Sequence, residues 1–195
     1  MDANRKKRCL WCGNNSLYRE YHDEEWGVPL YDDKKIFEFL LLETFQAGLS
    51  WITILKKREN FRKVFSNFNY KKISNYSDEK LKELKLDTSI IRNKNKINAV
   101  KSNAISFLEV QKEFGSFSKY IWKFVGGKTI QNNFISHSDI PKNTKLSQKI
   151  SDDLKKRGFK FVGPTVIYAY MQAMGIVNGH TTECFRHQEI IISNI

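Results

Sequence analysis

The chain has 195 residues, 41% hydrophobic and 13% aromatic, enough to bury a core without disulfide staples and too apolar for a disordered segment. Lys and Arg number 33 against 21 Asp and Glu; the resulting net charge of +12 favours an anionic partner, nucleic acid first, although a lysine- and asparagine-rich composition would give it with no partner at all. No apolar run approaches the roughly 18 residues of a membrane span, the charged residues 1–8 have no apolar segment behind them, and three cysteines suit neither a disulfide framework nor a secreted chain. The expectation is a soluble, cytoplasmic protein.

Helical signals dominate along the chain. Asp32 or Asp33 can cap a helix running to Gly48, and Ser50 can cap the next, with Trp51, Ile54, Leu55, Phe61 and Phe65 near helical spacing. Ser77 precedes a short charged helix carrying Leu81 and Leu84. A long helix follows, with Ile97, Val100, Ala104, Ile105 and Leu108 on one face, then a short one over residues 117–125. Residues 126–145 are polar and the least ordered stretch. Leu146, Ile150 and Leu154 recur every fourth residue, and Pro164 suits the first turn of a last helix ending at Gly175. Only the tail Ile190-Ile191-Ile192 reads as a strand. The elements amount to an all-α fold, with residues 1–195 forming one domain, no internal repeat and no dividing linker.

The turn between the last two helices is basic and glycine-bearing. Gly158 can take positive φ at the end of the first helix, and Gly163 allows close backbone approach just before the second. The N–H groups free at that helix start suit a phosphate, and Lys155, Lys156, Arg157 and Lys160 surround it. Such a site positions a nucleic acid rather than reading its sequence. An ordinary helical hairpin with a basic turn would look the same.

Metal-ligating residue types sit at both ends of the chain. Cys9 and Cys12 form a C-x2-C pair, His22 follows, and His180 with Cys184 forms an H-x3-C pair. Thiolates and neutral imidazoles suit a tetrahedral structural zinc. Spacing alone favours Cys9, Cys12, His180 and Cys184; the alternative replaces Cys12 by His22. Either set closes a very long loop. His137 and His187 have no such company and read as solvated.

Trp11, Tyr18, Tyr21, Trp26, Tyr31 and Trp51 crowd the first quarter of the chain. Glu43 falls beside Ile36, Phe39, Leu40 and Ala47 on a helix, so it points near the apolar side, where a carboxylate must find hydrogen-bond partners or be protonated. Aromatic faces around one hydrogen-bonding group are what a pocket for a flat nucleobase needs. A Glu at the margin of an aromatic core is the plainer alternative.

Longer runs carry a resemblance. They are Arg8-Cys9-Leu10-Trp11, Tyr21-His22-Asp23-Glu24-Glu25-Trp26-Gly27-Val28-Pro29, Gln46-Ala47-Gly48-Leu49-Ser50-Trp51-Ile52-Thr53 with Glu43 before it, Lys155-Lys156-Arg157-Gly158-Phe159-Lys160-Phe161-Val162-Gly163, and Met171-Gln172-Ala173. Across about residues 8–184 the chain resembles the bacterial 3-methyladenine DNA glycosylase I family. The resemblance implies a helix-hairpin-helix glycosylase fold, with the motif over about residues 147–175 and Gly158, Lys160, Gly163 and Thr165 on the DNA. It implies hydrolysis of the N-glycosidic bond of N3-methyladenine in double-stranded alkylated DNA, leaving an abasic site. It implies one structural zinc ion on Cys9, His22, His180 and Cys184, with Cys12 left over, and a base pocket of Tyr21, Trp51 and Trp11 around Glu43 as catalytic residue. One departure is that residues 86–97 lack the glycines expected before the long helix.

Many helix-hairpin-helix glycosylases place an essential Asp beyond the hairpin, whereas this chain has no Asp after Asp153. N3-methylation already makes the base a cationic leaving group, so extruding the nucleotide, holding the base and organising water are the main requirements. Glu43 is accordingly expected to bind and orient the base. A zinc-stapled DNA-binding protein without activity and an RNA-associated protein are the rival readings. Nothing in the sequence calls for an oligomer, and a monomer is expected.

Overall fold

The structure is a computed structural model and describes residues 6–192; the first five residues of the charged N-terminal run lie outside the described residues. Its organising element is α2 (Asp33–Gln46), in which every residue from Ile36 to Phe45 is buried. A helix this apolar on all sides belongs in the middle of a core. It is covered by α3 (Trp51–Val64), α6 (Lys94–Phe114), α7 (Phe117–Lys123) and α9 (Pro164–Ala173). α1 (Ser16–Glu24) packs on α3, the short α4 (Tyr70–Ile73) and α5 (Asp78–Leu84) pack on α6, and α8 (Lys145–Lys156) packs on α9. The all-α expectation holds.

Capping follows the residue chemistry. Asp32 accepts from the Lys35 amide, Ser77 from the Lys80 amide and Asn93 from the amides of Asn95 and Lys96. Ser50 occupies the cap position of α3, but its hydroxyl bonds the Thr53 hydroxyl at 2.8 Å instead of an amide. Phenylalanines fill the space between helices: Phe107 stacks on Phe117 with centroids 4.2 Å apart, and Phe45, Phe61, Phe65 and Phe68 form a second group.

Several sequence expectations change. The tail Ile190-Ile191-Ile192 is the end of a helix, α10 (Phe185–Ile192), which buries His187 and Ile190 one turn apart; a helical stripe with Cys184 outweighs the β-branched run. α9 is therefore not the last helix. On α6, Ile105 is 44% exposed and Leu108 only half-buried, because the buried stripe runs through Ile97, Val100, Ala104, Phe107 and Val110. The stretch 126–145 contributes β1 (Ile130–Gln131), which pairs in parallel with β2 (Val177–Asn178). The missing glycines of residues 86–97 have no consequence, since none of those residues has positive φ.

Candidate active site and metal centre

α1 aims Tyr18, Tyr21 and His22 along one side at i, i+3 and i+4, and the side chains divide between two adjoining sites. His22 meets Cys9, His180 and Cys184, all four buried, with their ligand atoms within 4.8 Å of one another. Cys184 Sγ lies 3.4 Å from His22 Nε2 and 3.4 Å from His180 Nδ1, and Cys9 Sγ lies 3.6 Å from His180 Nδ1. An ion with metal–sulfur bonds of about 2.3 Å and metal–nitrogen bonds of about 2.0 Å gives tetrahedral S···N edges of about 3.5 Å, so the donor set fits a metal ion of that geometry.

The outer partners fix both imidazoles. His22 Nδ1–H donates to Asp23 Oδ1 at 2.8 Å, and Arg8 grips the same carboxylate at 2.7 to 3.0 Å. His180 Nε2–H donates to Trp26 O at 3.0 Å. Both rings thereby turn a lone pair towards the sulfurs, the usual support of a metal-bound histidine. Burial holds His180 below the ordinary histidine pKa, which keeps it neutral as a ligand must be. Cys12, favoured by spacing, is also buried, but its thiol donates to Cys9 O at 3.1 Å and lies outside the group.

Beside this centre is a pocket of about 210 Å³ lined by Trp11, Tyr18, Tyr21, Trp26, Glu43, Gln46, Trp51, His137, Ala169 and Gln172. Trp26 stands between the two sites, its ring 4.5 Å from His180 and 4.9 Å from Trp11, centroid to centroid. Tyr21 lies 5.3 Å from Trp51. All four residues expected around a base thus share one cavity. Glu43, Tyr21 and Trp51 are buried and Trp11 is half-buried.

Two polar atoms of that wall, Glu43 Oε2 and Trp51 Nε1, are buried without a hydrogen-bond partner. Such groups carry a desolvation cost that a ligand can relieve. Burial alone pushes the Glu43 carboxyl up to about 8. Desolvation, with Glu43 nearby, also raises the Tyr21 hydroxyl well above its ordinary range. The cavity offers aromatic faces plus a carboxyl and an indole N–H in want of partners, which suits a flat heteroaromatic ring with a polar edge.

Other pocket residues had weaker sequence signals. Tyr18 and Trp26 belonged to the aromatic cluster, whereas Tyr31 stacks on Trp122 at 4.8 Å, away from the pocket. Ala169 and Gln172, at i and i+3 on α9, could have been found only from the fold. His137 is exposed as expected yet lines the cavity. His187, which reads as solvated in the sequence, is buried, its Nε2 bonded to Asn132 O at 2.7 Å. That bond and the Thr182 N–H to Phe134 O at 2.8 Å tie the loop before His137 to the segment carrying His180 and Cys184.

The turn between α8 and α9 spans residues 157–163. Gly158 has φ +93° at the end of α8, and Gly163 caps α9 with open space where its Cβ would stand. Lys155, Lys156, Lys160 and Thr165 are exposed around it. Arg157 is engaged inside the protein, with Asp153 at 2.7 Å and Glu113 at 2.6 Å. The cationic run Lys56-Lys57-Arg58 offers little free charge to a partner. Lys57 donates to Ser89 O at 3.0 Å, and Arg58 is buried between Glu38 at 2.6 Å and Glu25 at 2.7 Å. Only Lys56 of the three is exposed.

A family profile described as methyladenine glycosylase matches residues 11–187. The DNA-3-methyladenine glycosylase 1 of Escherichia coli (strain K12) is 45% identical over 178 residues, 91% of this chain and 95% of that protein. The DNA-3-methyladenine glycosylase of Haemophilus influenzae is 44% identical over 177 residues, 91% of this chain and 96% of that protein. A crystal structure of a 3-methyladenine DNA glycosylase I superposes with a TM-score of 0.90 at 46% identity, covering 93% of this chain and all of that one. The Staphylococcus aureus enzyme, solved to show the structural basis of 3-methyladenine recognition, has a TM-score of 0.88 at 34% identity over 91% of this chain and 95% of its own.

Proposed function

The chain belongs to the methyladenine glycosylase family, and from that premise we propose that it excises N3-methyladenine from alkylated double-stranded DNA, using the Glu43 pocket to hold the base. It is a DNA glycosylase of base excision repair. The observation that carries the pocket reading is the pair of orphaned buried atoms, Glu43 Oε2 and Trp51 Nε1, in one aromatic cavity. An extruded base fills that cavity and gives both atoms partners.

The chemistry asks little beyond positioning. N3-methylation makes the base a cation, so the glycosidic electron pair returns to the ring and the base departs neutral. Water bonds to C1′ of the sugar and its surplus proton passes to solvent. Trp11, Tyr21 and Trp51 present faces or edges against which the base lies, and Glu43 holds its polar edge. Glu43 therefore acts on the reacting nucleotide by orientation. A Glu43→Gln protein that keeps both base affinity and full turnover would exclude even that role.

The α8–α9 turn is the helix-hairpin-helix element that holds the DNA backbone, with Gly158, Lys160, Gly163 and Thr165 next to phosphate. Cys9, His22, His180 and Cys184 hold one zinc ion, which when bound supplies a structural tie between the chain's two ends. Residues 1–195 work as one catalytic unit, a cytoplasmic monomer; reduced, metal-ligating cysteines are consistent with that compartment. The test is incubation of purified protein with methylated duplex. Free 3-methyladenine and alkali-labile sites are expected in equal amounts; DNA binding with neither product overturns the reading.

A further inference from the structure

Two helices lead from the pocket to the α8–α9 turn. On α9, Ala169 and Gln172 line the pocket and Thr165 lies one turn nearer the helix start. α6 makes the same connection from another side. At its start, the buried Lys96 donates from Nζ to Phe45 O at 3.1 Å and Ala47 O at 3.0 Å, at the end of the helix that carries Glu43 and Gln46. Two turns later, Asn103 clasps the turn: its Nδ2 donates to Lys160 O at 3.2 Å, and its Oδ1 accepts from Lys160 N at 2.8 Å.

Between these anchors α6 presents Asn95, Asn98 and Ser102, at i, i+3 and i+7 on one face. With Ala99, Lys160 and Phe161 they line an open hollow of about 380 Å³. No carboxylate occurs between Asp87 and Glu109, whereas Arg92, Lys94 and Lys101 do. Phe161 on the rim has φ +59°, a left-handed conformation unfavourable for an aromatic residue, and is 41% exposed. Strain of this kind persists where the surroundings over-determine it, as the two Asn103 bonds to the preceding residue do here.

We propose that this hollow seats a stretch of DNA phosphodiester backbone, extending the contact made at the α8–α9 turn along α6 towards the pocket. This inference rests on reading the chain as a DNA glycosylase. The side-chain amides of Asn95 and Asn98 and the Lys160 ammonium are the donor types that bind phosphate oxygens, while Ser102 lines the hollow with its hydroxyl donated to Ala99 O at 3.0 Å. Seven residues of helix, about 10 Å, span the rise of two to three nucleotides of a strand at about 3.4 Å each. The absence of acid leaves the hollow electrostatically open to an anion.

The test compares two isosteric double variants with the same charge change. Asn95→Asp with Asn98→Asp places two carboxylates in the hollow; Asn67→Asp with Asn75→Asp places two at exposed asparagines outside it. The probe is an unmodified duplex at low salt. The first variant is expected to bind at least tenfold more weakly than wild type, with the loss shrinking as salt rises, and the second to stay within about threefold. Melting temperature and affinity for free 3-methyladenine report folding and an intact pocket, and both are expected unchanged in the first variant. Equal losses in the two variants, or wild-type affinity in the first, would overturn the proposal. A wild-type protein that binds duplex but releases no base would overturn the glycosylase reading and leave this surface standing.

Discussion

Glu43 shares a helix face with Ile36, Phe39 and Leu40, and that much is readable from a period of 3.6. What the period cannot convey is that one carboxylate oxygen finds no partner, because the atoms that fail to reach it come from α1, α3 and α9. Burial raises its pKa from 4.5 to about 8. Between those values the unfolded chain has released a proton that the folded protein retains. The stabilising contribution of the protonated group is therefore fully present below about 4.5 and is lost as pH climbs to about 8. Melting curves of wild type and Glu43→Gln are expected to diverge across that window, with wild type losing ground as pH rises and the difference constant above it. A pH-independent difference would show that the carboxyl is not desolvated. The Cys/His group teaches a similar lesson: C-x2-C spacing points to Cys12, but the group is assembled through space, and His22 reaches it from a helix face. The residue types offer His22 as the alternative to Cys12, and the resemblance chooses it.

At the scale of elements, Arg58 is a charged residue that occupies an apolar stripe. It lies four residues after Ile54 and three before Phe61, on the buried stripe of α3, where it joins Glu38 of α2 and Glu25 beyond α1. Its guanidinium is held charged by those two carboxylates against the cost of burial. Arg58→Ala would leave Glu38 buried with only the half-exposed Arg62 for company, and is expected to cost about 3 kcal/mol in urea unfolding. Unchanged stability would mean the triad is as weak as a surface ion pair. Helices α2, α3, α5 to α9 were legible because caps and apolar stripes agree there. α10 was not, since three isoleucines favour a strand locally, whereas the burial of His187 and Ile190 one turn apart follows a helical stripe.

For the whole molecule, the net charge of +12 overstates what a partner meets. Arg8, Arg58, Arg62, Arg157 and Lys96 are all engaged within the fold. The chain's two ends are joined instead by Cys9 and His22 meeting His180 and Cys184. Metal analysis is expected to find one ion per chain in wild type and in Cys12→Ser, and none in His22→Ala, with chelation lowering the melting temperature of the first two. Metal retained by His22→Ala but lost from Cys12→Ser would reverse the ligand assignment.

The pocket around Glu43 is the proposed seat of the damaged base. Titration of free 3-methyladenine into wild type and Glu43→Gln, followed by tryptophan fluorescence, addresses this directly, since Trp11, Trp26 and Trp51 line the cavity. The prediction is saturable binding by wild type in preference to adenine, and at least tenfold weaker binding by Glu43→Gln with duplex affinity and melting temperature retained at neutral pH or improved. Equal binding of the base by both proteins would contradict it.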